Sequence, residues 1–261
     1  MTWGVDTAPS VLRRALADFA QRSPATQADI DRVMRSLAEH DDWYVPIRYA
    51  DRFLRQTVFH QTLAFPGVPP NGVLTVFTDR ESALRAEGQP IGPYGGPVAG
   101  GRLMTTLDPG LTSLVVNPAS PPDHQWYIAA GGFEIAGHWA AAVAAERALA
   151  ARNGGPPPAR ELRAHRAYQL LLDRAENALI EIRVPSVDGT LAVGFTGPDR
   201  AEEFLDRLPP GPRANAALVL AEGPELFDMM CELDLAGLVL NAGSPHQAVL
   251  FRADLRQIAA A

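Results

Sequence analysis

The sequence predicts a mixed α/β (or α+β) protein made of two related small units, each a mixed sheet packed with helices. Three observations predict it. One short string occurs twice, about half the chain apart. Phe77-Thr78-Asp79 is followed by Leu114-Val115-Val116-Asn117-Pro118-Ala119-Ser120-Pro121, and Phe195-Thr196-Gly197-Pro198-Asp199 by Leu238-Val239-Leu240-Asn241-Ala242-Gly243-Ser244-Pro245. His124-Gln125 and His246-Gln247 extend both copies, and a collinear repeat of this length argues for two copies of one supersecondary unit. The apolar run at residues 73–77 suits a strand covered on both faces. Finally, both halves share the order helix, strand, turn, strand, capped helix, variable region, helix-like segment, strand and final strand.

Residues 11–20 form the first helix, with Leu12, Leu16 and Phe19 near one stripe. Thr26 opens a second helix through Ile30, Val33, Met34 and Leu37, which His40-Asp41-Asp42 ends. Aromatic and β-branched residues at 43–47 favour a strand, and Pro46 puts it at an edge or a break. Asn71-Gly72 is a turn leading into the strand at 73–77. Thr78 then caps a helix, with Glu81 completing a capping box. Thr196 and Asp199 repeat the pattern, and Pro198 fits a first turn whose amides lack intrahelical partners. Glycines and prolines across 88–101 break any regular element and predict a surface loop. They match neither a P-loop nor a dinucleotide fingerprint.

Asn117 and Asn241 end strands, and their side chains are expected to close Asx turns onto the backbone two residues on. Residues 126–128 and 248–251 extend again. An alanine-rich helix covers 135–152, and Asn153-Gly154-Gly155-Pro156-Pro157-Pro158 reads as a linker. The expected organisation is therefore a first unit at 1–152 with N-terminal helices, a Gly/Pro-rich linker at 153–160, and a second, diverged unit at 161–261. In the second unit a helix is expected at 161–178 and a strand at 179–185 that parallels the one ending at Pro46. A Pro/Gly turn at 208–213, an inserted strand at 216–220 and a helix at 224–233 follow.

Lys and Arg number 23 against 30 Asp and Glu, a formal charge of -7 that repels a phosphate backbone. With no basic patch to offset it, no nucleic-acid partner is expected. The single cysteine, Cys231, lies in an apolar run and reads as a buried thiol, with no partner for an intramolecular disulfide. The first residues lack a basic region followed by an apolar core, and no segment approaches eighteen uninterrupted apolar residues. A soluble, cytoplasmic protein with no membrane partner is the expectation. The six histidines form no H-E-x-x-H pattern, so no metal or cofactor is assigned. Ser120 with His124, and Ser244 with His246, invite a Ser–His proposal. No G-x-S-x-G elbow accompanies them, and no catalytic residue is assigned.

Tyr44-Val45-Pro46, Phe77-Thr78-Asp79 and Leu114-Val115-Val116-Asn117-Pro118-Ala119-Ser120 together resemble the N-terminal domain of the SseB family, the enhanced-serine-sensitivity proteins. Arg183-Val184-Pro185, Phe195-Thr196 and Leu238-Val239-Leu240-Asn241-Ala242-Gly243-Ser244 form a second, weaker set. That set departs from the pattern at Gly194, Gly197 and Ala242. The resemblance implies a soluble bacterial α/β protein whose second half is either a diverged tandem copy or a related C-terminal domain, and it supplies no catalytic constellation.

A duplicated fold without a recognisable catalytic set points to a noncatalytic binding or scaffold protein. Tyr94, Trp126 and Tyr127 are its candidate protein-partner contacts, and a homodimer is compatible with the same surfaces. The alternative is a small-molecule sensor or unrecognised enzyme in a cleft between the units. Its ligand-binding candidates are Asn117, Ser120, His124, Asn241, Ser244 and His246.

Overall fold

The computed structural model describes residues 11–46, 73–85, 94–105, 107, 111–118, 120–185 and 187–261. The fold is mixed α/β, and the chain divides into two compact units, Met1–Ala140 and Ala141–Ala261.

The first unit opens with α1 (Val11–Ala20) and α2 (Gln27–Glu39). Thr26 and Asp29 start α2 with a reciprocal capping box. The Thr26 hydroxyl accepts from the Asp29 amide at 3.3 Å, and the Asp29 carboxylate accepts from the Thr26 amide at 3.0 Å. There follow β1 (Trp43–Pro46), β2 (Val73–Val76), α3 (Arg80–Arg85), β3 (Tyr94–Val98), α4 (Gly100–Thr105), β4 (Ser113–Val116) and β5 (Trp126–Ala129). The helix α5 (Phe133–Ala151) contains the division between the units. β1 pairs with β3 antiparallel, β2 with β4 parallel, and β4 with β5 antiparallel. An antiparallel bridge between Tyr44 and Phe77 joins the two sets and yields the order β3-β1-β2-β4-β5.

The second unit continues through α6 (Ala159–Ala164), β6 (Tyr168–Asp173), the short β7 (Ala178–Leu179) and β8 (Glu181–Ile182), and β9 (Leu191–Phe195). Then come α7 (Pro198–Leu205), α8 (Pro210–Asn215), β10 (Ala216–Ala221), α9 (Gly223–Glu232), β11 (Gly237–Leu240), β12 (Ala248–Phe251) and α10 (Arg252–Ala259). The strand order is β10-β6-β9-β11-β12, with β7 and β8 added on β6 and β9. Among the described residues of this unit only the β9–β11 pair is parallel. β9 and β11 are buried on both faces, as their unbroken apolar runs require. Leu170, Ala192, Leu238 and Leu240 pack beneath α9 and α10, while Leu171, Val193, Phe195 and Val239 form the core on the opposite face. Each fully buried leucine in these layers contributes about 1.5–3 kcal/mol.

The two units therefore share strand order, strand directions and order along the chain. Smaller details agree as well. Trp43 donates from its indole to Leu37 O at 3.2 Å, and Tyr168 donates from its hydroxyl to Leu162 O at 3.0 Å. His40 and His165 each stand edge-on to that aromatic ring. Gly100 and Gly223 begin the following helices and donate to His40 O and His165 O at 2.7 and 2.8 Å. Close backbone approach requires glycine at both places. A Cβ on Gly223 would sit 2.7 Å from the carbonyl oxygens of Leu162, Arg163 and His165.

Several expectations are corrected. Residues 94–98 are not loop but strand β3, because its partner β1 supplies the ladder that glycine and proline make poorly on their own. The strand at 216–221 is no insertion, since β3 holds the same place in the first unit. Residues 210–215 form α8 rather than a turn, with Pro210 in the first turn where its missing amide is harmless. The helix expected at 161–178 ends at Ala164, and Tyr168-Gln169-Leu170-Leu171-Leu172-Asp173 is strand β6, between β10 and β9. Its leucine run fits either period, and pairing with β10 and β9 decides it. β6, not the stretch at 179–185, corresponds to the strand ending at Pro46. Residues 153–155 make a turn closed by Gly155 N–H to Arg152 O at 2.7 Å, and α6 begins at Ala159. Asn71-Gly72 lies outside the described residues.

Gly223→Ala is expected to lower unfolding stability in urea by about 1–3 kcal/mol, because three carbonyl oxygens must move. Gly137→Ala in α5, where a Cβ meets open space, should instead raise it by about 0.5–1 kcal/mol. Equal effects at the two sites would contradict the close approach at Gly223.

Candidate functional site

The repeated Thr and Asn meet at the ends of the parallel strand pairs. Asn117 and Asn241 follow β4 and β11 with φ of 51° and 55°, the left-handed region that asparagine tolerates better than most residues. Each amide donates back across the pair, to Val76 O at 2.9 Å and to Gly194 O at 2.8 Å. Each carboxamide oxygen accepts from the threonine amide after the neighbouring strand, Thr78 or Thr196, at 2.9 Å. The turn itself closes through the backbone, with Ser120 and Ser244 N–H donating to the asparagine carbonyls at 3.0 Å. The expected Asx turn is thus corrected. The side chain bridges to the adjacent strand because the left-handed backbone aims it there.

The threonines are not the helix caps expected of them. In the first unit Asp79 caps α3, accepting from Ser82 N–H at 2.7 Å and Ser82 Oγ–H at 2.8 Å. It also pairs with the Arg13 guanidinium. The Thr78 hydroxyl accepts from Asn117 Nδ2 at 2.9 Å. In the second unit Gly197 is the N-cap of α7, without a side-chain cap. The Thr196 hydroxyl donates to the Glu146 carboxylate, and Asn241 Nδ2 donates to the same oxygen at 3.3 Å.

Glu146 is the residue that motif reading missed. It lies on α5, 4% exposed, with Arg200 Nη2 at 3.6 Å and His246 Nδ1 at 4.0 Å from its second oxygen. A carboxylate on a helix face otherwise buried as Ala142, Val143, Ala145 and Leu149 was the available signal. Arg200 and the two hydrogen bonds offset its desolvation.

The other candidates have plainer surroundings. Asn117 and Asn241 are buried, with donors and acceptors engaged within the protein. Ser120 lies at the turn with its carbonyl accepting from Gln125 Nε2, and the His124 carbonyl accepts from Asn117 Nδ2 at 3.2 Å. Ser244 Oγ accepts from His246 N–H at 3.1 Å, so the serine contacts the histidine's backbone rather than its ring. The structure brings Asn241 and His246 to Glu146. Trp126 is half-buried and stands edge-on to Phe19 at 4.6 Å, whereas Tyr127 is 47% exposed on β5. Tyr94 begins β3, and its side chain lies outside the described residues. Among the described residues no cluster of three or more His, Cys, Asp or Glu could hold a metal ion. Nor is any described helix long and apolar enough to cross a membrane.

An open concavity of the second unit lies elsewhere. A groove of about 730 Å³ runs between the β10, β6 and β7 side of the sheet and α9. Leu170, Leu172, Val219, Leu226, Met229 and Leu233 line it, and its ionisable lining residues are Glu181, Glu225 and Asp234. Val219 and Leu220 are 42% and 62% exposed beside it. No family model, curated protein or solved structure matches this chain.

Asn241→Ala should destabilise the protein by about 2–4 kcal/mol, since it removes buried hydrogen bonds and leaves a left-handed alanine. Asn241→Gly should recover about 1 kcal/mol of that by relieving only the backbone. Urea unfolding of both variants checks this, and equal losses would contradict the φ argument. Asp79 offers a pH test. Burial pushes its carboxyl up, but the Ser82 amide and hydroxyl and the Arg13 guanidinium outweigh burial and hold it below the ordinary 3.8. A depressed carboxyl contributes stability above its unfolded pKa and loses it as pH falls through the folded value. The stability gap between wild type and Asp79→Asn should therefore be widest near neutrality and shrink as the pH falls below 3.8.

Proposed function

We propose that this chain is a noncatalytic, cytoplasmic binding protein whose partner is another protein. The single observation that carries the reading is the apolar groove beside β10, whose Val219 and Leu220 remain exposed. Exposed apolar surface rimmed by polar side chains is the ordinary mark of a docking site. The polar side chains of the repeated motifs support the same reading. Asn117, Asn241 and Thr196 bond within their own units, where an enzyme would aim such groups at a substrate. Kinship with the SseB family, and descent of the two units by tandem duplication, belong to the same proposal. The shared strand order and the Thr–Asn bridges support descent from one ancestor.

The test is purification of the full chain at native abundance from its own cells, beside Leu220→Glu. The expected result is a stoichiometric protein partner with wild type that falls at least tenfold with the variant, whose folding is verified by an unchanged urea midpoint. A tightly held metabolite in place of a protein, identified by mass spectrometry, would overturn the reading.

A further inference from the structure

We infer that the groove accepts an extended, cationic segment of the partner protein, which adds a strand to the free edge of β10. This deepens the binding reading above and rests on it. Among the described residues β10 pairs on one side only, with β6. Its hydrogen-bonding phase follows from two bonds. Arg174 N–H donates to Asn215 O at 2.8 Å, continuing the β6–β10 ladder, while Leu171 O faces the other way and accepts from Ile180 N–H at 2.8 Å. Antiparallel ladders alternate, so Ala217, Val219 and Ala221 bond to β6, and the main-chain groups of Leu218 and Leu220 point outward. The Ala216 amide is already engaged with the end of α8, donating to Arg213 O. The free edge thus offers two amides and the alternate carbonyls, the pattern that an added strand completes.

Charge selects the occupant. The groove's ionisable lining residues are all acidic: Glu181, Glu225 and Asp234. Asp234 shares Arg252 at 3.2 Å, and both glutamates are exposed. β10 itself, Ala216-Ala217-Leu218-Val219-Leu220-Ala221, carries no charge. A second copy pairing edge to edge would bring the same acids and no cation on the pairing strand. A segment with alternating apolar residues and a Lys or Arg fills the groove and meets its carboxylates. Strand addition gives affinity through the main chain, and the groove gives selectivity through alternate side chains.

The experiment selects a phage-displayed random dodecapeptide library on the full chain, with counter-selection on Leu220→Glu. Winners should alternate branched or aromatic residues and carry at least one Lys or Arg. As synthetic peptides, they should bind at least tenfold more weakly to Glu225→Lys and when their alternate amides are N-methylated. Binding should slow amide hydrogen exchange at Leu218 and Leu220. Acidic winners, winners with helical i,i+4 spacing, or binding that leaves those two amides unchanged would overturn strand addition while leaving a protein-binding groove. Slow exchange at both amides in the chain without peptide, including through self-association, would overturn the free edge. No winners at all would overturn both this inference and the binding reading.

Discussion

A carboxamide at the end of a parallel strand pair is the constraint on which each unit depends. Parallel strands need a crossover connection, and where the pair ends the next main-chain amide has no ladder partner. Asn117 and Asn241 solve this with one side chain apiece, accepting from Thr78 and Thr196 on the neighbouring strand. The left-handed backbone that aims the side chain also reverses the chain, so β5 and β12 return antiparallel beside β4 and β11. Asparagine is short enough to tolerate that conformation and carries both a donor and an acceptor. The same geometry serves two environments. In the first unit the carboxamide nitrogen turns to Thr78 and His124 O, and in the second it turns to the buried Glu146.

What could be read in advance followed the distance over which each signal acts. The apolar runs at 73–77 and 238–240 and the first two helices are local patterns, and they lie where periodicity puts them. The repeat located both Asn turns and both Phe-Thr junctions because the same residues answer the same geometric demand. Long-range pairing decided the rest. Residues 168–173 satisfy a helical and a strand pattern equally, and only their neighbours β9 and β10 select the strand. Gly95-Gly96-Pro97 disfavour a strand locally, yet β1 recruits them. The capping expectation failed by one residue, since Thr78 ends the strand while Asp79 holds the helix.

The candidate site divides the same way. Asn241 and His246 were visible as a motif, but Glu146 was visible only as an isolated acid in an alanine-rich helix. The groove had no motif at all. Its edge strand, Ala-Ala-Leu-Val-Leu-Ala, reads as core by composition, and its exposure is a property of the sheet order, which leaves β10 outermost. Motif searching favours polar side chains, and here the polar side chains close inward. That inversion supports the binding reading that the lack of a catalytic set had already favoured.

Native-state amide hydrogen exchange of the full chain, read at Thr78 and Thr196, tests the shared construction most directly. Both amides should exchange as slowly as those of the adjoining strands, because both are buried and bonded to an asparagine side chain. Rapid exchange at either threonine, with its strand still protected, would contradict the claim that one bridge organises both units.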